Sequence, residues 1–104
     1  MADAALSVVE YFKGKIAYIN VMCNLSVDCD CCAVAEDPCM KDVGILAGLD
    51  PVALDQACLD LIYRSEDQGR DHFIERVESR HGIHTIEAAE QLGVGSREYK
   101  LIEL

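Results

Sequence analysis

Cys23, Cys29, Cys31, Cys32 and Cys39 lie within seventeen consecutive residues, and the sixth cysteine, Cys58, stands apart. Thiolates bind soft and borderline metals, and four of them satisfy zinc or a four-iron cluster. The spacing is C-x5-C-x-C-C-x6-C. Read as extended chain, Cys29 and Cys31 point the same way and can share one metal or cluster, whereas Cys32 points the other way. Cys23 and Cys39, the latter just after Pro38, are placed to supply the remaining ligands. The arrangement is neither the paired C-x2-C set of zinc knuckles and ribbons nor the C-x2-C-x2-C run of bacterial ferredoxins. The stretch reads as a thiolate site. An iron–sulfur cluster, 4Fe-4S by ligand number, leads; zinc is the first alternative, and free or disulfide-forming thiols are the second. Such a loop would also suit a cluster that bridges two chains.

Asp28, Asp30 and Asp37 stand among these cysteines. Negative neighbours raise thiol pKa values unless a metal is present, which weighs against a free catalytic thiolate. Cys58 shares an apolar helical stripe with Leu54, Leu61 and Ile62 and reads as a core cysteine. Asp55, one turn earlier, reads as a solvated helix charge; the sharper alternative is that it bonds backbone groups of the cysteine loop. His81 and His84 form H-x2-H, with His72 upstream, and read as surface or helix-boundary residues ahead of metal ligands. The chain has no Walker loop, no G-x-G-x-x-G after a strand and no G-x-S-x-G. No nucleophile–base pair is assembled by the pattern, so a stand-alone enzyme is not expected.

The elements around the cysteines follow from periodicity. Asp3 to Phe12 is helical, with Ala4, Ala5, Val8, Val9 and Phe12 on one stripe and Lys13-Gly14 ending it. Ile16 to Met22 is short, β-branched and apolar, as in a strand buried on both faces of a parallel or mixed sheet. The cysteine loop then spans 23–42. A loop of this length without regular structure is usually functional. Val43 to Ala47 is a second strand. Asp50 caps, and Pro51 starts, a helix running to about Glu66, with Gly69 past its end. Asp71 to Arg80 is a further helix, and Thr85 caps another over Ile86 to Leu92, which Gly93-Val-Gly95 closes. Tyr99 to Leu104 alternates and predicts a final strand. The expected fold is α/β or α+β: a small mixed sheet of about three strands flanked by helices, in the order α-β-(Cys loop)-β-α-α-α-β. The 104 residues suit one domain, or a fragment of a larger one whose sheet a partner completes.

Composition narrows the partners. About half the residues are apolar, and the formal net charge is −10. A folded chain with that charge lacks the basic footprint that nucleic acid or an anionic membrane surface requires. No apolar run spans a bilayer, and the first residues lack a signal peptide's basic start, so a cytoplasmic location is expected. In a reducing cytosol, clustered cysteines are metal or redox groups before they are structural disulfides.

Five segments arrive in a specific order: Tyr18-Ile-Asn-Val, Asp28-Cys-Asp-Cys31, Asp42-Val-Gly-Ile-Leu-Ala, Asp50-Pro-Val-Ala-Leu-Asp-Gln-Ala57 and Gln91-Leu-Gly-Val-Gly-Ser-Arg-Glu-Tyr-Lys-Leu101. Together they resemble the C-terminal part of the domain-of-unknown-function family 362, whose members are often labelled iron–sulfur cluster-binding proteins. The resemblance matches the family's Asp-Cys-Asp-Cys to Asp28–Cys31 and centres the site on Cys29 and Cys31. It also implies longer relatives, many with a separate ferredoxin-like cysteine module that this sequence lacks. The resulting expectation is a cluster held by Cys29, Cys31, Cys23 and Cys39 for electron transfer or redox sensing. Its partner would be a redox protein, a missing N-terminal domain, or a second copy that completes the sheet. The alternatives are a zinc-bound or metal-free structural module and a non-catalytic subdomain of a larger redox enzyme.

Overall fold

The computed structural model describes residues 1–29 and 31–104. Its elements are α1 (Ala2–Phe12), β1 (Tyr18–Met22), β2 (Gly44–Gly48), α2 (Pro51–Arg64), α3 (Arg70–Ser79) and α4 (Gly82–Gln91). This is the expected mixture of helices around a small sheet. The sheet is smaller than expected, with two antiparallel strands in register from Tyr18 opposite Gly48 to Met22 opposite Gly44. The long cysteine segment joins β1 to β2 with no helix among its described residues, and the two strands pair antiparallel.

Alternation decides which side of the hairpin is buried. Met22 and Leu46 turn inward and pack with Met40, Leu54, Ala57, Cys58 and Ile62. Ile19, Val21 and Ile45 point outward and remain 66%, 58% and 70% exposed. β1 is therefore not buried on both faces, as its apolar composition suggested. α2 covers one face, and the other has no layer against it among the described residues.

α2 begins as its sequence dictates. The Asp50 Oδ1 accepts the Val52 and Ala53 N–H groups at 2.9 and 3.1 Å, and Pro51 takes the first position, where an N–H would go unused. The other carboxylate oxygen accepts the Ser96 N–H at 2.9 Å, so one side chain caps α2 and holds the segment after α4. That close approach needs Gly95, because a Cβ there would stand 2.0 Å from Asp50 Oδ1. Gly93, at φ 82, ends α4, and the Val94 N–H reaches back to the Ala89 carbonyl at 3.0 Å. Val94 is then buried against Val52 and Ile86 in a second apolar cluster.

Two boundaries depart from the sequence reading. α4 starts at Gly82, after His81 in the left-handed region, so Thr85 lies inside the helix instead of capping it. Tyr99 to Leu104 forms no strand. The backbone leading into it is engaged locally: Glu90 accepts the Arg97 N–H and the Ser96 hydroxyl accepts the Glu98 N–H. The Tyr99 hydroxyl donates to Asp60 on α2, and Leu101, Ile102 and Leu104 are exposed beyond it.

Removing the shared cap should be costly. Asp50→Ala should lower unfolding free energy by about 1–2 kcal/mol through the helix cap alone. Gly95→Ala should destabilise the protein by driving a Cβ into the Asp50 carboxylate, as read by urea denaturation of both variants.

Candidate functional site

The cysteine loop is tied along its length. At its base the Val43 N–H donates to the Met22 carbonyl at 2.9 Å, and the Asn24 N–H donates to Asp42 Oδ1 at 2.9 Å. Next, the Cys39 N–H donates to the Leu25 carbonyl at 2.8 Å, while Met40 enters the core and Leu25 and Cys39 pack against it. Further out, the Ser26 hydroxyl donates to the Glu36 carbonyl at 2.8 Å, and the Glu36 N–H donates to Asp28 Oδ2 at 3.0 Å. These bonds satisfy backbone groups that a long loop would otherwise leave to solvent.

Helix α3 and the turn before it hold the loop from outside. Arg76 of α3 pairs with Asp28 Oδ1 and donates to the Val27 carbonyl at 3.3 Å. His72, one turn earlier, stands with Nε2 2.7 Å from Glu36 Oε2. Between α2 and α3, Asp67 accepts the Lys41 N–H at 2.9 Å and the Gly69 N–H at 2.8 Å. Gly69 presses on the loop so closely that a Cβ would fall 1.6 Å from the Cys39 carbonyl oxygen. The sequence marked Gly69 only as a helix stop; its close approach to the loop is a tertiary fact with no local signal.

What projects beyond these ties is the tip. The Cys32 N–H donates to the Cys29 carbonyl at 2.9 Å, and the Cys31 N–H points at Cys29 Sγ at 3.3 Å. The segment is thus a turn and not extended chain. Its curvature brings Cys32 to the same tip as Cys29 and Cys31, where the extended reading had turned it away. It also makes Cys29 and Cys32 an i, i+3 pair, a C-x2-C spacing that the intervening Cys31 disguises in the sequence. All three are exposed. Cys23 is exposed at the start of the loop and Cys39 is half-buried at its base, apart from the tip cluster. Cys58 is buried in the core, as its stripe indicated.

The Cys31 thiol is raised by its neighbours' thiols. Cys29, as hydrogen-bond partner and then as a competing charge, pushes the Cys31 thiol up to about 11, and Cys32 adds to the effect. Asp28 is held below its ordinary 3.8 by the Glu36 N–H and by Arg76, which offsets its charge. Asp30 lies outside the described residues. Arg76 in turn is close enough to Cys32 for their charges to interact.

Thiol donors suit iron or zinc chemically. Yet among the described residues no group of three or more His, Cys, Asp or Glu side chains is arranged to hold a metal ion. The donor set fits a soft metal; the arrangement is not already closed around one. His81 and His84 are exposed at the α3–α4 boundary, and His72 faces Glu36. Asp55 does not reach the loop. Its Oδ1 accepts the Asn20 amide at 2.9 Å, and the same amide donates to Cys58 Sγ at 3.3 Å. Desolvation raises the Cys58 pKa.

The Asp67 tie makes a pH prediction. The Lys41 and Gly69 N–H groups hold this carboxyl below its ordinary 3.8. A depressed folded value means that the stabilisation is complete above 3.8 and is lost as pH falls through the lower, folded value. Asp67→Asn should therefore unfold at lower temperature than the parent at neutral pH, with the gap closing in acid. Gly69→Ala should cost about 1–3 kcal/mol by overpacking the Cys39 backbone, measured by the same melts.

No curated protein and no solved structure matches this chain. A family model described as Domain of unknown function (DUF362) matches residues 1–60. The matched span contains α1, the hairpin, the entire cysteine loop and most of α2. The Gln91–Leu101 stretch lies beyond it, and the match carries no ligand with it. Because the matched residues make up more than half of the sequence, the chain belongs to the DUF362 family.

Proposed function

We propose that the 23–39 loop is a thiolate metal centre that binds an iron–sulfur cluster and serves electron transfer or redox sensing. The observation that carries this reading is the exposed tip that gathers Cys29, Cys31 and Cys32 on an anchored loop. Exposed cysteines clustered on a support tied to α3 and to the core suit ligation better than packing. Cys29 and Cys31 are the primary ligands. Cys23 and Cys39 complete the set when the loop closes, and Cys32 is a further donor at the same tip. When bound, an iron–sulfur cluster would supply one-electron redox chemistry. The chain's own part is to hold the thiols at the surface, where a redox partner can approach. The exposed outer face of the hairpin supports a partner layer, whether another domain or a second copy.

At Cys31 the chemistry supports ligation over catalysis by that thiol. A nucleophilic cysteine needs an environment that lowers its pKa. Cys31 is shifted the other way by its neighbours. A bound cation reverses that balance, because the metal displaces the proton and turns crowded thiols into ligands.

Anaerobically purified protein should contain iron and acid-labile sulfide, with visible thiolate-to-iron absorption. Cys29→Ala and Cys31→Ala should each lower metal affinity by at least the roughly ten- to hundredfold that losing an outer-shell partner costs. Cys58→Ala should leave metal content unchanged. Stoichiometric zinc without iron would overturn the iron–sulfur reading and favour a structural zinc module.

A further inference from the structure

The turn at the tip carries chemistry that requires no metal. Cys29 and Cys32 are its first and fourth residues, closed by the Cys32 N–H to Cys29 carbonyl bond at 2.9 Å. Such a turn brings its end Cα atoms within about 7 Å, which overlaps the 4.4–6.8 Å span that a disulfide bridges. Both thiols are exposed, so a small disulfide can reach them. Cys31 is less suited to bridge with Cys32, because joining adjacent residues would force the peptide between them out of its relaxed geometry. Cys58 is shielded in the core, Cys39 is half-buried against it, and Cys23 stands next to β1 at the start of the loop.

We infer that Cys29 and Cys32 form a thiol–disulfide exchange site, whose substrates are small-molecule or protein disulfides and whose oxidised product is an intraloop Cys29–Cys32 bridge. In the first step one thiol of the pair, as its thiolate, attacks a substrate sulfur. A mixed disulfide forms, the substrate S–S bond breaks, and the released thiolate takes up a proton. In the second step the other protein thiol loses its proton and attacks the protein-side sulfur of that mixed disulfide. The second substrate thiol departs. Two protein thiols are oxidised and one substrate disulfide is reduced to two thiols, so electrons and protons balance.

This site also regulates the proposed metal centre, an extension that rests on the metal reading. A bridge consumes two sulfurs of the tip, so ligation and oxidation exclude one another. Metal protects the pair, and metal loss exposes it to oxidation. Asp28, Arg76 and the loop-base bonds lie outside the turn, so the bridge forms without releasing the loop from α3.

The test is oxidation of the full-length, metal-free protein with glutathione disulfide, followed by alkylation and peptide mapping. The expected product has a Cys29–Cys32 bridge, with Cys31 still open to alkylation. Cys31→Ala should form the same bridge. Cys32→Ala should stop at a mixed disulfide with glutathione on Cys29. A stable glutathione adduct on the parent tip, or a bridge mapped to any other pair, would overturn the assignment. Adding Zn2+ before the oxidant should slow bridge formation, and an unchanged rate would overturn the competition with metal. Iron and zinc are assayed on a separate anaerobic preparation. Absence of both metals would remove the metal reading while leaving the exchange result to stand or fall alone.

Discussion

The structure depends on aspartate carboxylates that accept backbone N–H groups. Asp50 takes three, from Val52, Ala53 and Ser96. Asp67 takes those of Lys41 and Gly69, Asp42 takes that of Asn24, and Asp28 takes that of Glu36. A short chain with a two-stranded sheet has few ladder bonds to offer, and much of its backbone runs outside regular structure. Charged acceptors form stronger bonds than neutral ones and can satisfy several donors at once. Part of the −10 charge is therefore structural: it holds loops in place as well as coating a surface.

This bonding scheme divides the cysteine loop into a fixed base and an exposed tip. The base is joined to the core by Met40, to the α2–α3 turn by Asp67 and Gly69, and to α3 by Asp28 and Arg76. Cys29, Cys31, Cys32 and the residues just after them are exposed. A ligand site needs donors whose support does not move when they do, and α3 provides that support from outside the loop. The same division explains why Cys23 and Cys39 differ from the tip. They belong to the part of the loop whose backbone is already committed.

Much of the fold was legible because it rests on local rules. The Asp50-Pro51 start, the Lys13-Gly14 and Gly93 stops, and the core placement of Cys58 all follow from capping and periodicity. The failures are tertiary. Tyr99 to Leu104 has a strand pattern, but side-chain acceptors capture its approach and no third strand receives it. The apolar run of β1 suggested two covered faces, yet among the described residues α2 covers one and the other stays exposed. At the site, Cys29 and Cys31 were visible as a pair. Extended chain turns Cys32 away from that pair, although Asp28 and Asp30 are both turn formers. The roles of Arg76, Gly69 and Asp67 depend on residues far away in sequence, and no spacing rule could have assigned them.

The most direct test of the central claim is X-ray absorption spectroscopy of anaerobically purified protein at the iron edge. A thiolate-held cluster predicts iron with a first shell of sulfur alone and a short iron–iron vector, both lost in Cys29→Ala. Iron surrounded by oxygen and nitrogen, or a sample whose only bound metal is zinc, would contradict the claim.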